Sequence, residues 1–151
     1  MEASDTVDPD LAADLVDTMR ASPACVGLAA PQIGVPRRAF VIDVTGHRKA
    51  TVCHGLVVMF EPVVVSMSGR EEGREGCMSV PDLTANVARG TEIVVRGTGV
   101  DGYEVVLATE GFEARALQHE IDHLDGRLIL DRVASLPTDV FRRRVYRSPR
   151  R

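Results

Sequence analysis

Gln118-His119-Glu120-Ile121-Asp122-His123 lies within Gly111 to Leu124, a segment whose pattern reads as helix, and it decides how the rest of the chain is read. Two histidines four residues apart leave the same helical face, so both imidazoles can reach one metal ion. Glu120, beside the first of them, is placed to act as general base toward a water that the metal activates. Two upstream segments sharpen this reading: Gly27-Leu28-Ala29-Ala30-Pro31-Gln32-Ile33-Gly34 and Glu75-Gly76-Cys77-Met78-Ser79-Val80-Pro81. The second supplies a thiolate. Cys77, His119 and His123 would make three protein ligands with a fourth position left for water, the pattern of a catalytic rather than a structural metal site.

Composition sets the frame around that stretch. The chain has 151 residues, enough for one domain (1–151) with a real core. Apolar residues make up 44% and charged residues 26%, as in an ordinary globular protein. No apolar run approaches the ~20 residues of a membrane span, and the acidic start, Met1 to Asp10, lacks the basic region of a signal peptide. A cytoplasmic protein without membrane or stable DNA binding is the expectation. Three cysteines in that setting argue against a disulfide framework. Cys77 is the one given a role, and Cys25 and Cys53 read as small apolar fillers. The net charge of −4 hides an asymmetry, because residues 141–151 hold six arginines and no acid. Such a tail is either a solvated helix end or a contact for an anionic partner such as ribosomal RNA.

The remaining elements follow from spacing. Leu11, Leu15 and Met19 recur at helical intervals, giving a helix over Asp10 to Arg20, started by Asp8-Pro9 and ended by Ser22-Pro23. Gly27 to Pro36 reads as a constrained loop, with Gly27 and Gly34 open to plain turn chemistry. Ala39 to Val44 reads as a buried strand, and 45–55 as an exposed loop with solvated His47 and His54. Leu56 to Phe60 and Val63 to Met67 read as strands broken by Glu61-Pro62, at an edge or a bulge. Gly69 to Gly76 is a polar connection. Glu92 to Arg96 and Glu104 to Thr109 flank a glycine-rich turn and form a hairpin. The motif helix stops at Gly126, and a last helix is expected over Pro137 to Tyr146. The result is an α+β domain: antiparallel β-sheets packed around a central helix carrying HExxH, with N- and C-terminal helices.

Taken together, the three motifs resemble those of the peptide deformylase family, written G-x-G-x-A-A-x-Q, E-G-C-x-S and Q-H-E-x-D-H-x-x-G. The second and third are complete here, at Glu75 to Ser79 and Gln118 to Gly126; the first departs only at its opening glycine, where Cys25 stands. The resemblance covers about Val26 to Val133, with the motifs in the family's order. It implies hydrolysis of the N-formyl group of formyl-methionyl peptides. The metal would be one divalent ion, Fe(II) by preference, with Zn, Ni or Co able to substitute. It further implies that Gln32 and the backbone N–H of Met78 hold the oxyanion, while Glu120 is the base. Val26, Gly27, Leu28 and Leu117 become candidates for the methionine pocket, each equally readable as core, with core the better reading of Leu117. Asp122 or Gln118 would orient the ligands from behind, with an exposed helix carboxylate the alternative for Asp122.

Further departures lie at Thr84, where the family often has Arg, and at Glu61-Pro62, where Asn-Pro is common. They leave two alternatives standing: a divergent paralogue acting on another N-formyl substrate, or a non-catalytic metal-binding relative. A zincin-type endopeptidase would need a third ligand beyond the motif, and neither His nor Glu follows His123.

Overall fold

The computed structural model describes residues 7–22, 24–77, 80–127, 129–132 and 140–142. They divide between two compact units, one drawn from 1–71 with 89–127 and the other from 72–88 with 128–151. The first unit opens with helix α1, Pro9–Ala21. Asp8 Oδ1 accepts the backbone N–H groups of Asp10 and Leu11, both at 3.1 Å, so the cap is the one the sequence offers. Leu11, Ala12, Leu15 and Met19 pack under strands β1 (Gly27–Ala29) and β2 (Ala39–Ile42), in a core with Leu28, Val41 and Phe60. Gly27–Ala29 is therefore a short antiparallel strand paired with β2, followed by a 3-10 turn over Ala30–Ile33. The constrained loop expected there begins only after Ala29.

Strand β3 runs unbroken from Val57–Ser68, pairing with β2 through its first half and with β6 through its second. Glu61-Pro62 is a bulge inside it, not the end of one strand and the start of another. Pro62 has no N–H for the ladder, and the register slips between Phe60 and Val63. Glu61 takes a left-handed φ of 51° there. Strands β6 (Glu92–Thr98) and β7 (Glu104–Glu110) form the expected hairpin, closed by Gly99 N–H on Tyr103 O at 2.8 Å. The sheet order is β1-β2-β3-β6-β7.

Helix α2, Gly111–Leu124, has the bounds read from the sequence. Leu117, Ala114 and Ile121 press against Ala29, Phe40, Ile42, Ile93 and Val95, so the sheet supplies one wall of the helix's surroundings. Gly126 ends it with a φ of 78° and donates to His123 O.

The second unit carries a sheet of β4 (Glu71–Cys77, whose first residue belongs to the first unit), β5 (Val80–Arg89) and β8 (Val140–Arg142). Three expectations change here. The polar run before Cys77 is a strand, not a loop. β5 went unread, although Leu83, Ala85 and Val87 alternate with polar residues in the strand's period of two. Val140–Arg142 is a strand paired with β5 through Thr84 and Phe141, in place of a terminal helix. The rest of the expected helix and of the arginine-rich tail lies outside the described residues. Among the described residues, no helix is long and apolar enough to cross a membrane.

Candidate functional site

α2 brings His119 and His123 to one face, where their rings meet edge to face with centroids 4.8 Å apart. The spacing of one helical turn produces this directly. Two facing imidazoles on a rigid helix form a candidate metal-binding group. Glu120 lies between them in sequence and is buried at 4% exposure, with its carboxylate against Gly27 of β1. Gln32 sits in the 3-10 turn that follows β1, and its Oε1 accepts the Ala29 N–H at 2.9 Å. That bond fixes which end of the amide is the acceptor, and hence which end carries the donor N–H₂ group. Cys77 is buried at the end of β4, in the second unit. Met78 lies outside the described residues.

The four pocket candidates separate. Leu28 and Leu117 are closed to solvent, Leu28 in the core under α1 and Leu117 in the core under α2. Val26 is half-buried beside the α2 core, and Gly27 is half-buried on β1. Turn chemistry does not explain Gly27, which sits in a strand; Gly34, with a φ of 80°, does cap the 3-10 turn.

The residues flanking the histidines hold the helix in place. Gln118 uses its whole amide on backbone. Oε1 accepts Gly90 N–H at 2.9 Å, and Nε2 donates to Gly90 O at 2.9 Å and Ala114 O at 3.0 Å. This replaces the expectation that Gln118 reaches an imidazole. Asp122 is not an exposed carboxylate: it is buried and ion-paired with the equally buried Arg89 at the end of β5. A buried pair of this kind is costly to break from one side, since the survivor is left charged in a poor solvent. Arg89 and Gly90 were not foreseen, because β5 was not.

Helix α2 has a second polar anchor near its start. Glu113, fully buried, accepts the His54 backbone N–H at 2.7 Å, the Thr109 hydroxyl at 2.8 Å and the His54 ring. His47 stacks on Phe112 with ring centroids 3.9 Å apart. Burial, then the nearby Lys49 and Arg48 charges, hold its pKa below the usual histidine value. His54 is an exposed loop residue as expected, although its backbone and ring both reach Glu113; His47 is not the solvated loop residue expected. Nor is Cys53 an apolar filler: it is exposed and accepts the Gly55 N–H, whereas Cys25 is partly buried beside the α1 core.

The family model described as "Polypeptide deformylase" matches residues 1–138. A peptide deformylase of Syntrophobacter fumaroxidans is 42% identical over 131 residues, 87% of this chain and 75% of that one. A solved peptide deformylase from Ehrlichia chaffeensis superposes with a TM-score of 0.79 at 32% identity, covering 90% of this chain and 81% of its own. A Met-Ala-Ser-bound class I type b peptide deformylase from Acinetobacter baumannii gives 0.74 at 30% identity, with 87% of each chain covered. With both later motifs complete and most of its length matched, the chain belongs to the polypeptide deformylase family.

Proposed function

We propose that this protein is a metal-dependent hydrolase that removes the formyl group from the N-terminal formyl-methionine of newly made polypeptides. It would act in the cytoplasm, as one catalytic domain. The observation that carries the reading is the motif helix: two facing imidazoles with a buried carboxylate between them in sequence, in a chain matched to the family over most of its length. The Met-Ala-Ser bound to the Acinetobacter baumannii relative supports a methionyl peptide as the product class.

Cys77, His119 and His123 would hold the metal, each offering one ligand atom. One thiolate and two imidazoles suit Fe(II), which we take as the working ion, and equally suit Zn, Ni or Co. When bound, the ion supplies Lewis acidity toward water and the formyl oxygen. Glu120 takes the proton of the attacking water and passes it to the amine nitrogen as the C–N bond breaks, leaving formate and a free N-terminus. The Gln32 amide, held by Ala29, donates to the oxyanion together with the backbone N–H of Met78; such donors are typically worth ~3 kcal/mol in the transition state. Val26, Gly27, Leu28 and Leu117 are the residues we place around the methionine side chain, with Val26 and Gly27 the more accessible pair. The arginines of 141–151 are the part of the chain suited to an anionic ribosomal contact.

The test is formate release from formyl-Met-Ala-Ser by protein loaded anaerobically with Fe(II), with Glu120→Ala and Cys77→Ser alongside. The expected result is release by wild type, none by a metal-loaded Glu120→Ala, and lowered metal content in Cys77→Ser. Failure of metal-replete wild type to release formate, or a Cys77→Ser protein with full metal content, would refute the corresponding assignment.

A further inference from the structure

We propose that Gly27 is a positioning residue for the general base, and that its missing side chain is the seat in which the Glu120 carboxylate rests. A Cβ built on Gly27 would lie 2.6 Å from Glu120 Oε2 and 3.1 Å from both Cδ and Cγ of the same side chain. The first distance is one that real Cβ atoms essentially never show, so something must move. Which side moves follows from what holds each backbone.

On the β1 side, Val26 O accepts the Asp43 N–H at 2.8 Å, one bond just beyond the end of the β1–β2 ladder that points the Val26 carbonyl toward β2. Alternation along an antiparallel ladder then turns the carbonyl of Gly27 away from β2. The Cys25 thiol donates to that carbonyl at 3.0 Å, so the backbone at Gly27 is tied on both sides. On the helix side, Gln118 holds both backbone groups of Gly90, and Asp122 is paired with buried Arg89. With both backbones pinned, the part free to yield is the carboxylate itself. It would leave the position from which it serves the reaction.

Alanine is a clean probe here. Gly27 lies in a strand and does not take a left-handed φ, so alanine brings no backbone strain. Gly27→Ala should therefore leave a folded, metal-binding protein whose base is misplaced.

The proposal rests on Glu120 being the base of the hydrolysis, and its test separates the two ideas by a cycle of four proteins: wild type, Gly27→Ala, Glu120→Ala and the double variant. In Gly27→Ala we expect kcat for formyl-Met-Ala-Ser to fall about 100-fold or more at full metal content, as for loss of a general base; KM rises as well where the new methyl group meets the methionine side chain, so the fall in kcat is the diagnostic readout. In the Glu120→Ala background, where no turnover remains to be read, the same alanine should leave Tm unchanged, because the atoms it collides with are gone; in the wild-type background Tm should drop by several degrees. An unchanged kcat in Gly27→Ala, or a fall in Tm as large in the Glu120→Ala background as in wild type, would overturn the proposal. If Gly27→Ala fails to fold, the double variant should fold like Glu120→Ala, and its failure to do so would also overturn it. Wild type inactive toward the peptide would count against the function proposed above, while the Tm cycle would still decide the contact between Gly27 and Glu120.

Discussion

Replacing Gln118 by leucine separates two roles that its place in the motif leaves tangled. Its amide satisfies the N–H and the C=O of Gly90 and adds a bond to Ala114 O, all between 2.9 and 3.0 Å. Leucine nearly matches its volume but orphans both groups of Gly90, a half-buried residue on the turn between β5 and β6. Each buried orphan costs about 1–3 kcal/mol, and partial access of water to Gly90 puts the total near the low end, at about 2–3 kcal/mol. For a chain of this length that corresponds to a fall in Tm of about 5–10 °C. Thermal melts of the metal-loaded protein read this directly, and formate release at a temperature well below the transition reads the chemistry. The expected result is a lowered Tm with kcat within about threefold of wild type, because the amide is spent on backbone and not on a ligand. A Gln118→Leu protein that melts like wild type but turns over less than about a tenth as fast would refute the reasoning.

Two other outcomes follow from local features. Glu61 holds a left-handed φ of 51° that costs a side chain with a Cβ about 1–2 kcal/mol. Its ion pair with Arg38, 4.0 Å long and solvent-exposed, offsets little of that. Glu61→Asn, which restores the residue common in the family, should raise the denaturation midpoint at constant m-value; an unchanged or lowered midpoint would mean that the bulge tolerates glutamate. His47 has a lowered pKa in the folded state, so its contribution to stability is fully present above the unfolded value of about 6.5 and is lost as pH falls through the folded value. Amide protection factors, exchange rates corrected for the intrinsic pH dependence, should fall in residues 45–55 below that pH in wild type and lose this dependence in His47→Gln. A pH response equal in the two proteins would remove His47 as its source.

Much of the site could be read from one helix because its information is local. The interval between His119 and His123 is a property of helical geometry, and Gly111 to Gly126 carries its own start and stop signals. What escaped depends on distant partners. Asp122 looks like a surface carboxylate until β5 brings Arg89 to it, and β5 is built from small residues whose alternation is easy to overlook. Gly27 looks like a turn glycine because its requirement comes from Glu120, ninety-three positions away in sequence. Pro62 reads as an edge or a bulge because local sequence cannot choose between them; the pairing of one twelve-residue strand with both β2 and β6 makes it the bulge.

The segment between Val44 and Leu56 seemed the most expendable part of the chain, yet it is fastened to the head of the motif helix at two points, through His47 on Phe112 and His54 on Glu113. The freedom to vary is confined to what lies between the fasteners. Extra residues placed between Arg48 and Val52 lengthen a tethered loop, at only about 0.6 kcal/mol for each doubling of its length. The same residues placed after His54 would pull a donor from a carboxylate that has no access to water. A tag, a binding peptide or a whole inserted module on this loop thus belongs between the two fasteners and not beyond them.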